Sequence, residues 1–265
     1  MELKNKVVWI TGASSGIGEA LSYAFAKEGC KLVISARRES ELQRVKTSTN
    51  LTDDSILILP LDLENHVAAP EWVSIILAKF GRIDVLVNNG GLSQKGTAMQ
   101  TTTEVERKIM EINYFGNIAL TKAVIPVMQK QQSGHLVVTT SILGKFGLPF
   151  HTTYAASKHA LYGYYDSLRM ELKPFNINVL LVAPGFINTN ASINSLNADG
   201  SISNQDSPAQ MNGMKTGVFA KKLISALKRN KQHIYIGNKE LLAIPFKMLL
   251  PKLFYTIMDK MSKGK

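Results

Sequence analysis

Short, β-branched apolar runs alternate along this chain with longer stretches in which apolar residues return every three or four positions. The runs are KVVWIT (6–11), KLVISA (31–36), SILILP (55–60), IDVLVN (83–88), HLVVTT (135–140), INVLLV (177–182) and HIYIG (233–237). Most are continuously apolar rather than alternating, which is the pattern of parallel strands covered on both faces. Helices are predicted between them at 16–28, 38–49, 64–80, 103–132, 152–174 and 216–230. Such βαβ alternation predicts an α/β fold built on an open, doubly wound parallel sheet, with one domain over residues 1–240. Residues 186–215, rich in Asn and Ser, form the one long irregular stretch. Loops of that length in a compact domain are functional lids or disordered, and this one is expected to contribute a substrate lid.

Charge changes the picture at one end only. The net charge is +11, yet residues 215–265 hold twelve Lys/Arg against two Asp/Glu, leaving the first 214 residues close to neutral. A nucleic-acid binder would spread its basic residues over a face of the core, so that class is set aside. The tail 241–265 mixes Leu, Phe, Ile and Met with repeated lysines and carries Pro245 and Pro251, which are expected to break it into short segments. It reads as a basic amphipathic extension with two placements open. It packs on the domain or a second subunit, or it lies on a membrane surface and borders the substrate entrance. A single cysteine, Cys30, allows no internal disulfide and reads as a buried, inert side chain. No secretory signal precedes the first strand, and a reducing, cytoplasmic setting is expected. The five histidines show no metal-ligand spacing, so no metal is expected; His151, three residues before Tyr154, reads as a surface residue or as pocket lining.

The first strand runs into TGASSGIG (11–18) and then a helix. Glycines there permit a tight turn and close backbone approach, and a helix N-terminus offers free N–H groups to a pyrophosphate. Spacing at Gly12, Gly16 and Gly18 departs from the G-x-G-x-x-G fingerprint, so the position after the first strand carries the reading. At the end of the second strand, where an acid would accept from the ribose hydroxyl of NAD, stands Ala36, followed by Arg37 and Arg38. A guanidinium can grip a 2′-phosphate with paired hydrogen bonds. NADP(H) is therefore preferred over NAD(H), the alternative being that the two arginines merely open a solvated helix.

In YAASK, Tyr154 and Lys158 stand one helical turn apart. Tyrosine is a poor acid near neutrality, and a lysine on the same helix face favours the phenolate. Alone the pair means little, because Tyr162, Tyr164 and Tyr165 follow closely. With TGASSGIG, LDL (61–63), NNGG (88–91), EINYFGN (111–117), TTSILG (139–144) and APGFINT (183–189) in this order, however, residues 5–237 resemble the short-chain dehydrogenase/reductase family.

That resemblance implies a Rossmann-type fold and a cofactor site formed by Gly12, Ser14, Ser15, Gly16, Ile17, Gly18, Arg37, Arg38, Asp62, Leu63, Asn89, Gly90, Pro184, Gly185, Ile187 and Thr189, together with Tyr154 and Lys158. Asp62 would contact adenine, and Gly90 replaces the family's usual alanine. NADP-using members often carry a basic residue where this chain has Ser15, so the phosphate preference rests on Arg37 and Arg38. By the same analogy Tyr154 is the general acid/base, Lys158 lowers its pKa and holds the nicotinamide ribose, Ser141 orients the substrate oxygen, and Asn113 positions a relay water. YAASKHALYGYYDSLRMEL and TNASINSLNADGS resemble the family's member 7 subgroup, including its 7B branch, which implies lipid-like or steroid-like ketones and alcohols. The family commonly forms homodimers or homotetramers. A rival class is a non-catalytic cofactor-sensing or scaffolding module on the same fold, which a degraded Tyr/Lys/Ser set would favour; here the set is intact.

Overall fold

The computed structural model describes residues 1–263. All seven apolar runs become strands of one parallel sheet: β1 (Val7–Thr11), β2 (Lys31–Ser35), β3 (Ile56–Ile58), β4 (Val85–Asn88), β6 (Gly134–Thr139), β7 (Ile177–Pro184) and β9 (His233–Ile236), in the order β3-β2-β1-β4-β6-β7-β9. A separate two-stranded ribbon pairs β5 (Gln94–Lys95) with β8 (Leu196–Asn197). Successive residues of β1 face opposite layers, so Val8 and Ile10 enter one core while Val7 and Trp9 enter the other. The first layer is covered by α1 (Gly16–Lys27), α2 (Glu39–Thr49) and α8 (Thr216–Lys228). The second is covered by α3 (Ala69–Phe80), α5 (Gly116–Gln131) and α6 (Thr152–Leu172), with α4 (Thr103–Met110) beside them. Strand order reverses between β1 and β4, and open α/β sheets bind ligands in the crevice at such a point.

Three predicted elements differ. The helix expected over 103–132 is interrupted by a π turn at Glu111–Phe115, between α4 and α5. The helix expected from 64 begins instead with a 3-10 turn, Leu63–Ala68, kinked at Asn65. Asp62 caps that turn by accepting from the Glu64 amide, and the regular helix starts only where Pro70 suits a first turn. The irregular 186–215 stretch contains β8 and a short helix, α7 (Pro208–Met211). Its two ends are joined where the Met214 amide donates to the Phe186 carbonyl at 2.9 Å.

The tail turns through Lys239–Leu242 into α9 (Ala243–Leu249) and α10 (Pro251–Lys263). Pro245 breaks nothing, because it lies in the first turn of α9, where its missing N–H has no intrahelical role; Pro251 opens α10, and the break falls at Leu250. Ile244 and Phe254 are buried against Ile142, Leu143, Phe146 and Ala155, with the Phe146 and Phe254 rings edge-to-face at 5.4 Å. The extension predicted from 241 packs on the domain through these residues; its last residues, Gly264 and Lys265, lie outside the described residues. Among the described residues no helix is long and apolar enough to cross a membrane.

Candidate active site

The phosphate end is assembled by the switch between β1 and β4. After Thr11 the chain passes Gly12 and Gly16, both with positive φ (66° and 59°), which is why glycine stands there. The Thr11 hydroxyl accepts from the Asn89 and Gly90 amides at 3.0 and 2.9 Å, and the Asn89 side chain donates to the Thr11 carbonyl at 3.0 Å. A Cβ on Gly18 would fall 2.2 Å from the Gly12 carbonyl oxygen, so helix and loop touch backbone to backbone. No side chain caps α1, and its first N–H groups open toward the loop of Ser14, Ser15, Gly16 and Ile17. This cradle fits the pyrophosphate of a nicotinamide dinucleotide. Thr189 approaches from the lid side, with Cγ2 3.1 Å from where a Gly16 Cβ would stand. Gly90 faces Leu63; the alanine methyl usual there would meet Leu63 Cδ1 at 2.8 Å, a flexible end that can move aside. Asp62 stands just before Leu63, one carboxylate oxygen engaged in its cap.

Arg37 and Arg38 are exposed at the end of β2, and neither guanidinium is in an ion pair among the described residues. Arg38 shares a groove with Ser15, Gly16 and Thr189. Arg44, one turn into α2 and not foreseen from sequence, forks onto Glu19 at 2.8 and 2.9 Å and reaches the Ser14 carbonyl at 3.3 Å. It ties α2 to the glycine loop.

The reacting end lies past β6. Ser141 follows the last residues of that strand and accepts from the Leu143 amide at 3.1 Å. Tyr154 sits in the first turn of α6, and Lys158 one turn on donates to the Thr139 carbonyl at 3.1 Å, its ammonium 5.7 Å from the Tyr154 ring centre. Burial raises the Tyr154 phenol above its ordinary range, with a hydrogen bond to Ser141 acting the other way. Burial also lowers Lys158 to about 8. A phenol that keeps its proton is an acid, which suits proton donation to a carbonyl oxygen.

Asn113 occupies the π turn, and the turn is what aims it at Leu92. Its side chain accepts from the Leu92 amide at 2.8 Å, donates to the Leu92 carbonyl at 2.8 Å and to Ser157 Oγ at 3.0 Å. Ser157 in turn donates to the Tyr154 carbonyl. The Asn113 amide is thus engaged in fixing the segment beside Lys158, and its backbone carbonyl accepts from Asn117 at 2.8 Å. Cys30 is buried with its thiol pushed up to about 12, unfit as a nucleophile.

Pro184 ends β7; Gly185, Phe186 and the buried Ile187 follow it toward Thr189. Glu240, also not foreseen, accepts from the Phe186 amide at 2.9 Å. No periodicity marks a single acid after the last strand, so the sequence held no signal for it. Tyr154 packs against a buried apolar cluster of Ile142, Leu143, Phe146, Ala155, Ile244 and Phe254.

Residues 6–199 match the short chain dehydrogenase family model. A Drosophila melanogaster protein named dehydrogenase/reductase SDR family protein 7-like is 39% identical over 264 residues, spanning 98% of this chain and 81% of its own. Mouse dehydrogenase/reductase SDR family member 7B is 36% identical over 261 residues, spanning 97% and 81%. A crystal structure of a short-chain dehydrogenase from Streptomyces avermitilis superposes with a TM-score of 0.83 at 28% identity, covering 99% of both chains. With that match over most of its length, and a glycine cradle, Ser141, Tyr154 and Lys158 on the same sheet edge, the chain belongs to the short-chain dehydrogenase/reductase family of oxidoreductases.

Proposed function

We propose that this protein is an NADP(H)-dependent carbonyl reductase that interconverts an apolar ketone and its secondary alcohol. The observation that carries the reading is Tyr154 placed with Lys158 one turn on in α6 and with Ser141 at the end of β6, against a buried apolar cluster. Ser141 would hold the carbonyl oxygen, Tyr154 would give it the proton, and Lys158 would hold the nicotinamide ribose and return the tyrosine's proton. The nicotinamide, when bound, supplies or takes the hydride. Gly12, Gly16 and Gly18 would cradle the pyrophosphate, Asp62 and Leu63 would border the adenine, and Asn89, Gly90, Pro184, Gly185, Ile187 and Thr189 would line the nicotinamide half.

Two unpaired arginines at 37 and 38, with no acid at Ala36, favour the 2′-phosphate of NADP(H). Ile142, Leu143, Phe146 and the buried face of the tail favour lipid-like or steroid-like substrates over small hydrophilic ones. The tail's other face exposes Leu242, Met248, Leu249 and Leu253 beside Lys239, Lys252 and Lys260. That combination suits a peripheral contact with an anionic membrane surface, from the cytoplasmic side in this reading. Self-association into a dimer or tetramer, usual in the family, completes the proposal. The test is NADPH oxidation by the full chain against ketones and aldehydes, weighted toward long-chain keto-lipids and ketosteroids. Turnover favouring the apolar members supports the reading; NADPH binding with no turnover on any carbonyl would replace it with a cofactor-sensing module.

A further inference from the structure

The Glu240 carboxylate sits between the ends of two strands. One oxygen accepts from the Phe186 amide at 2.9 Å and from the Asn238 amide at 3.0 Å. Phe186 follows β7 and Asn238 follows β9, and between the two ends the Gly185 amide also donates to the Ile236 carbonyl at 2.8 Å. The nook exists because both neighbouring positions are glycine: a Cβ on Gly185 would stand 2.0 Å from that oxygen, and one on Gly237 2.5 Å. A carboxylate accepting two backbone N–H groups makes charge-assisted hydrogen bonds, stronger than neutral ones. Glu240 belongs to the Lys239–Leu242 turn, which leads directly into the helix whose Ile244 packs on Ile142 and Leu143 beside Ser141. One side chain therefore joins the segment after Pro184 to the segment that packs on the cluster beside Ser141.

We propose that Glu240 is a positioning residue that sets the Gly185–Thr189 segment from the C-terminal segment, so that this segment and the buried cluster beside Ser141 hold one arrangement. This rests on the reading of residues 184–189 as the nicotinamide-side wall. Without the carboxylate, the Phe186 amide loses its acceptor, and the segment keeps the Gly185–Ile236 bond before it and the bonds of Phe186 and Asn188 to Met214 after it.

The test uses the full chain with Glu240→Ala and Glu240→Gln, the latter keeping an acceptor oxygen of the same reach. Hydrogen exchange of the peptide containing Phe186 is followed without cofactor, and NADPH affinity is then titrated by fluorescence. Glu240→Ala is expected to speed exchange at Phe186 and weaken NADPH by roughly tenfold or more, with the melting transition little changed and Glu240→Gln recovering most of both. The proposal is overturned if Phe186 exchange is unchanged in Glu240→Ala, if Glu240→Gln is as impaired as Glu240→Ala, or if exchange rises while NADPH affinity does not move. Because exchange is read without cofactor, a wild-type chain that fails to bind NADPH would sink the cofactor reading while the Phe186 result still judged the latch.

Discussion

Under the proposed function, Arg37 and Lys158 each have a test that a single substitution decides. Arg37 is exposed and unpaired, so its removal should leave the fold intact. Arg37→Ala should weaken NADPH far more than NADH, by about 1.5–3 kcal/mol for a lost charge-assisted contact. Parallel titrations read this directly, and equal losses for both cofactors would move the role to Arg38. Lys158 has a different signature, because burial lowers it to about 8. An unfolded lysine titrates near ~10.4. Between these values the unfolded chain binds more protons, so this group makes stability rise with pH across that window. Below pH 8 the buried ammonium is a standing cost. Lys158→Met should therefore be inactive, and its melting temperature relative to wild type should be highest below pH 8 and decline between pH 8 and 10. A difference independent of pH would show that Lys158 is not desolvated as described.

At the scale of elements, Asp84 fastens the start of the sheet. Its carboxylate accepts from the Val7 amide at 2.9 Å, from Lys6 at 3.1 Å and from Arg82 at 2.9 and 2.6 Å. Burial opposes its ionisation, and the bonds from Arg82, Val7 and Lys6 outweigh burial and hold the carboxyl below its usual range. Its stabilisation is present above the unfolded carboxyl pKa and lost as pH falls through the folded one. Asp84→Asn should cost about 1.5–3 kcal/mol in urea denaturation at neutral pH, with the gap to wild type closing in acid. The strands were legible in the sequence because parallel strands buried on both faces leave continuous apolar runs, and each run found its place in one sheet. The π turn was not legible, since Glu111–Phe115 continues a helical pattern and the extra residue is dictated by tertiary contacts, with Asn113 locked to Leu92. The glycine turn, Ser141, Tyr154 and Lys158 could be read because their order on successive elements is itself informative. Glu240 and Arg44 could not, because one charged residue near a strand end looks like any solvated surface. For the tail, amphipathicity announced two faces without saying what either would meet.

Across the whole molecule, the inner face of the C-terminal segment packs into the buried cluster beside Tyr154, and its outer face presents leucines and lysines. Truncation after residue 240 keeps Glu240 and removes Ile244 and Phe254 from the cluster with Phe146. It should raise the KM for an apolar ketone by roughly tenfold or more, as expected for losing one or two large buried contacts, while NADPH affinity stays nearly constant. It should also abolish co-sedimentation with anionic vesicles at low salt. Should neither full chain nor truncation bind vesicles, the outer face belongs to a subunit contact instead. The proposed reaction turns on one oxygen atom, the Tyr154 hydroxyl. The decisive measurement is single-turnover reduction of an apolar ketone by NADPH deuterated at the transferring position, comparing wild type with Tyr154→Phe. Wild type should deliver deuterium to the carbinol carbon, and the variant should bind NADPH normally yet reduce roughly 10²–10⁴-fold more slowly. A variant that retains more than about a tenth of the wild-type rate would contradict the assignment of Tyr154 as the acid.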